Sequence, residues 1–65
     1  MEIALNGTSR TTEANNIESL VAELGLKRGT VLVEHNGVAL HPDEWKAALL
    51  QAGDRVEMLR IVAGG

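Results

Sequence analysis

Ile17, Leu20, Val21 and Leu24 fall at i, i+3, i+4 and i+7, a spacing that gathers all four on one face of a helix and turns Glu18, Ser19 and Glu23 toward water. Both ends of this segment are marked. Asn15 or Asn16 caps the first turn, Glu18 completes a capping box if Asn15 is the cap, and Gly25 takes the left-handed closing position. The apolar face of one short helix has to be covered by something else, and most of the remaining chain reads as strands.

Met1, Ile3 and Leu5 alternate with Glu2 and Ala4, so residues 1–6 form a strand with one face toward a core. Asn6-Gly7 suits the positive φ of a tight hairpin turn, and Ser9-Arg10-Thr11-Thr12 follows as a polar partner strand. After the helix, Thr30-Val31-Leu32-Val33-Glu34 is β-branched and apolar and is expected to be the central strand. Asn36-Gly37 then leads into Val38-Ala39-Leu40, a second hairpin. His41-Pro42-Asp43-Glu44-Trp45 is expected to make a turn or one helical turn that delivers Trp45 to the core. Residues 46–52 are ambiguous, Gly53-Asp54 supplies a turn, and Arg55 to Val62 form the last strand. The order predicts an α+β fold in which a mixed sheet wraps around one main helix.

A chain of 65 residues holds one core, and at this size only ~60% of the unfolded surface becomes buried. A pocket for catalysis would consume much of that packing. Cysteine is absent, which removes disulfides, thiolate metal clusters and thiol nucleophiles. A net charge of −3 with a single aromatic residue opposes a nucleic-acid face built on basic and stacking side chains. Met1 to Asn6 lacks the basic start and apolar run of a secretory signal, and no stretch has membrane length, so the cytoplasm is the expected compartment.

Side-chain chemistry is sparse. His35 and His41 do not supply the three or four converging ligands of a zinc site, and the adjacent Asp43 and Glu44 point apart rather than pairing across a bond. Ser9 and Ser19 sit in no nucleophile elbow. No catalytic or metal-binding side chain is therefore expected. Gly7, Gly25, Gly29, Gly37 and Gly53 lie at turns without phosphate-cradling spacing, whereas Gly64-Gly65 joins no element. Two residues without side chains can thread a narrow channel and carry the terminal carboxylate to another enzyme's nucleotide site, where attack on an α-phosphate gives an acyl adenylate. A frayed end is the competing account. With Val56 and Met58 facing the core, Leu59 and Ile61 would point outward, and with Val62 they make an apolar docking strip beside the tail. Burial of both faces of this strand is the alternative.

Asn36-Gly37 after a strand, Pro42-x-x-Trp45, Gly53-Asp54-Arg55-Val56-Glu57 and the ending Ile61-Val62-Ala63-Gly64-Gly65 together resemble the bacterial sulfur carriers of thiamine biosynthesis, the ThiS family. The likeness covers essentially the whole chain. It implies a ubiquitin-like β-grasp fold, with residues 1–65 as one carrier domain and residues 63–65 as a flexible tail. It further implies that Gly65 is adenylated with ATP by a partner resembling ubiquitin-activating enzymes and then becomes a thiocarboxylate. The sulfur would come from a cysteine desulfurase system and pass to thiazole synthase. Ala63, Gly64 and Gly65 would thread the partner's active site, and the chain would act as a co-substrate rather than an enzyme, monomeric alone and without a bound cofactor. His35 departs from the aliphatic residue expected in this family, which points to a more exposed strand or a locally capped histidine. Carriers for molybdopterin synthesis or tRNA thiolation, and ubiquitin-like modifiers that end in an isopeptide bond, remain alternatives. A purely structural interaction module is a further one.

Overall fold

The computed structural model describes residues 1–61. Its strands are β1 (Glu2–Leu5), β2 (Thr8–Thr11), β3 (Val31–His35), β4 (Val38–Leu40) and β5 (Arg55–Arg60), with one α-helix, α1 (Ile17–Glu23). Single 3₁₀ turns cover Arg28–Thr30 and Pro42–Glu44. The sheet order is β2-β1-β5-β3-β4. β1 and β5 run parallel, and the other neighbouring pairs are antiparallel. The mixed sheet expected from the strand pattern is therefore present, with β5 rather than β3 at its centre. The reason is topological: two antiparallel hairpins, β1–β2 and β3–β4, each offer the edge of their first strand, and β5 pairs with both β1 and β3.

The hairpins turn where Asn-Gly predicts. Asn6 has φ 50° and Gly7 φ 80°, while Asn36 has φ 51° and Gly37 φ 85°. Both asparagines thus occupy the left-handed region that few side chains tolerate as well. β2 is polar throughout because it is an edge strand.

α1 packs Ile17, Leu20 and Val21 against Ile3, Val31, Val33 and Val56 of the sheet. Trp45, only 1% exposed, closes the core from the 3₁₀ turn that Pro42 begins. Met1 does not join Ile3 in the core; it lies exposed one residue before β1. Asn16, not Asn15, caps the helix, its Oδ1 accepting from the Ser19 amide at 2.8 Å. Glu18 accordingly falls too early in the helix for a capping box. At the other end Gly25, φ 73°, closes a Schellman motif: its amide reaches the Ala22 carbonyl and the Leu26 amide reaches Val21, at 3.0 and 3.1 Å.

Residues 46–52, ambiguous in the sequence, run without regular structure beside the start of α1. Ile17 N donates to Ala48 O at 3.0 Å, Leu50 N to Asn15 O at 2.9 Å, and the Asn16 side-chain Nδ2 to Lys46 O at 3.1 Å. These bonds satisfy backbone groups that neither a helix nor the sheet supplies, and they let Leu50 drop into the core. Thr12, just past β2, is buried with its hydroxyl within 2.9 Å of both Glu23 carboxylate oxygens. That bond, with help from the Glu13 amide and Arg10, holds Glu23 below its ordinary carboxylate value, so its head group is engaged rather than simply solvated. Among the described residues no helix is long and apolar enough to cross a membrane.

Candidate functional site

β5 is the strand that leads to the chain's C-terminal residues, and every stretch of it is tied down. Asn36 Oδ1 accepts from Arg55 N at 2.8 Å, and Asn36 N donates to Arg55 O at 2.8 Å. Asn6 clamps the middle, its Oδ1 accepting from Met58 N at 2.7 Å and its Nδ2 donating to Met58 O at 3.2 Å. The two left-handed asparagines therefore do more than turn their hairpins, since each extends its own arm of the sheet along β5 by a side-chain amide. Among the described residues the final tether is Ile61 N donating to Thr30 O at 2.8 Å.

The faces of β5 differ sharply. Val56 is fully buried and Met58 packs against the core, as the alternation predicts. Leu59 is 67% exposed and Ile61 47% exposed, so the sequence-predicted strip lies open on the outer face and the two-sided burial alternative does not hold. Val62, Ala63, Gly64 and Gly65 lie outside the described residues. The structure adds what the sequence reading missed: Leu32, 56% exposed, stands directly across from Leu59 in the β3–β5 register. With Ala39 of β4 the two line a shallow hollow of about 380 Å³, and a second hollow of about 360 Å³ continues past Leu32 to Ile61. The alternation of Val31, Leu32 and Val33 assigns Leu32 to the outer face, but its pairing with Leu59 is a matter of register.

His35 lines neither hollow, whereas His41 borders the second. His35 Nε2 lies 2.7 Å from Asp54 Oδ2, which gives a local partner to the residue that departs from the aliphatic family pattern. The His35 bond is also the main influence holding the Asp54 carboxyl below its ordinary value, against the desolvation that pushes it up; the Gln51 amide and Asn36 side chain reinforce it. Asp54 thereby fastens the turn before β5 to the end of β3. His41 is exposed, and its amide donates to Glu44 Oε1 at 2.8 Å. Asp43 pairs outward with Arg28, away from Glu44. Among the described residues no group of three or more His, Cys, Asp or Glu is placed to hold a metal ion.

A family model described as the ThiS family matches residues 3–65. The chain belongs to the ThiS family. The crystal structure of a thiamine biosynthesis protein (ThiS) from Geobacter metallireducens superposes on it with a TM-score of 0.84 at 30% identity, each chain covered in full. A solution NMR structure of a thiamine biosynthesis protein from the same organism gives 0.81 at 30% identity, covering all of this chain and 88% of the other. The five-stranded sheet around α1 is thus the β-grasp fold of this family. A curated relative, a thiazole synthase from Magnetococcus marinus, is 33% identical over 66 residues, which take in all of this ThiS-family chain and 20% of that protein. The chain spans about a fifth of the length of the curated relative it matches.

Proposed function

We propose that this chain is a sulfur carrier for thiazole formation in thiamine biosynthesis and that its working group is the Gly65 carboxylate. The observation that carries this reading is a family match extending through Gly64 and Gly65, joined to a body whose central strand leads toward them. A carboxylate oxygen of Gly65 attacks the α-phosphate of ATP in the active site of a partner resembling ubiquitin-activating enzymes, and pyrophosphate leaves. A terminal persulfide of a cysteine desulfurase system then attacks the acyl carbon and AMP leaves; a thiol reductant supplies the two electrons that split the resulting acyl disulfide into the donor thiol and the thiocarboxylate, which donates sulfur to thiazole synthase. Residues 1–65 act as one carrier domain, a co-substrate of its partners rather than an enzyme.

The chain's own residues supply three things. Ala63, Gly64 and Gly65 are small enough to enter a narrow channel. Leu59 and Ile61, with Val62, dock the body beside the channel mouth. The absence of cysteine leaves no thiol to capture the activated terminus within the chain. The similarity to about a fifth of a thiazole synthase supports thiazole synthase as the sulfur acceptor, because it places a related segment in the same polypeptide as that activity.

The test is intact-protein mass after incubation with ATP, a sulfur source and the activating enzyme, with the chain lacking Gly65 as control. A sulfur-for-oxygen mass increase confined to the full-length chain is expected. A full-length chain left unchanged by a demonstrably active enzyme would overturn the reading, and conjugates that persist under reducing, denaturing conditions would replace it with a protein modifier.

A further inference from the structure

The register that sets Leu32 across from Leu59 also sets Glu34 across from Glu57 on the same outer face. Like charges directly opposed on neighbouring strands destabilise a ladder, and an opposite-charge or apolar pair would serve the free fold better. Both glutamates are exposed, and both line the hollow formed with Leu32, Ala39 and Leu59. Among the described residues neither carboxylate takes part in an ion pair; the acidic partners that do so are Glu18, Glu23, Asp43 and Asp54. Arg55 follows the same alternation two residues before Glu57 but also makes no ion pair. The far end of the strip, toward Ile61, is bordered by Arg28, whose charge is already engaged by Asp43 and Glu18. One end of the apolar strip thus presents two unneutralised carboxylates, with Arg55 beyond them, and the other end a cation already engaged by its own acidic partners.

We propose that this hollow receives an apolar ridge of the activating enzyme carrying an arginine or lysine that sits between Glu34 and Glu57. The inference rests on the docking face proposed above and adds the chemistry and direction of its partner. An apolar contact at Leu59 and Leu32 has little preference for which way round the partner lies. A cation held at the Glu34–Glu57 end sets that direction, because the reversed orientation would leave both carboxylates facing each other without a counter-charge. It also removes the repulsion between the two carboxylates, so binding relieves a cost that the free chain carries. A planar guanidinium is the better fit, as it can bond two carboxylates at once.

The test measures association of the chain with the same activating enzyme that adenylates the wild type, by stopped-flow fluorescence at low and physiological salt. The double variant Glu34→Gln and Glu57→Gln is compared with Leu59→Ala, and the melting temperature of each free chain is recorded. The double glutamine variant is expected to associate about tenfold more slowly at low salt, with the gap closing as salt rises, and to melt no lower than wild type. Leu59→Ala is expected to bind more weakly at every salt concentration. Wild-type association of the double glutamine variant beside impaired Leu59→Ala would overturn the cation inference and leave the docking face standing. Wild-type association of both would remove the docking face as well. A lower melting temperature for the double variant would make the pair a structural contact and likewise overturn the inference.

Discussion

Val56 and Leu59 stand three residues apart on β5, one fully buried and the other mostly exposed, and the contrast separates what holds this protein together from what it shows to others. The inner face of the strand joins the core that α1 and Trp45 also fill. Among the described residues nothing buries the outer face, yet it carries Leu32, Leu59 and Ile61 where a solvated sheet face would ordinarily carry polar residues. These apolar side chains on an open face add little to the fold, which is what the proposed docking role rests on.

Substitutions should break this contrast in a definite order. Trp45→Ala empties the largest fully buried side chain and should cost about 3–5 kcal/mol, a third or more of the ~3–10 kcal/mol that holds a domain of this length together. Urea unfolding should find it at the edge of stability in water. Val56→Ala removes two buried methyl groups from the centre of the sheet and should cost about 2 kcal/mol by the same measurement. Asn6→Gly keeps the left-handed backbone available but deletes both side-chain bonds to Met58, and a loss of about 1 kcal/mol is expected. An unchanged denaturation midpoint would mean that the clamp is ornamental. Leu59→Ala should alter stability by no more than about 0.5 kcal/mol, while lowering thiocarboxylate yield at limiting activating enzyme. The smallest structural effect would then accompany a large functional one.

The acid limb of stability offers a further test. Asp54 titrates below its ordinary value near 3.8 in the folded chain, so its contribution is present above that value and is lost as pH falls through the lower, folded one. Asp54→Asn should therefore be less stable than wild type at neutral pH, with the difference narrowing on acidification. Glu23, lowered chiefly by the Thr12 hydroxyl, should behave in the same direction from an ordinary value of 4.5. Thermal melts across the acid range would check both, and a gap that widens below these values would contradict the His35–Asp54 and Thr12–Glu23 contacts.

Much of this was legible in the residues because it is local. The face of α1, the turn at each Asn-Gly pair, the delivery of Trp45 by Pro42 and the outward direction of Leu59 and Ile61 follow from periods of 3.6 or 2 and from turn chemistry between near neighbours. The family resemblance added the β-grasp fold and the role proposed for the di-glycine end. Tertiary structure alone decided what depends on pairing between distant segments. It placed β5 at the centre, set Leu32 against Leu59 and Glu34 against Glu57, threaded residues 46–52 along the start of α1, and gave His35 its partner in Asp54. Register has no local signature, because a strand's alternation names its two faces but not the residue across the ladder; that choice is made only when the whole sheet closes over one helix.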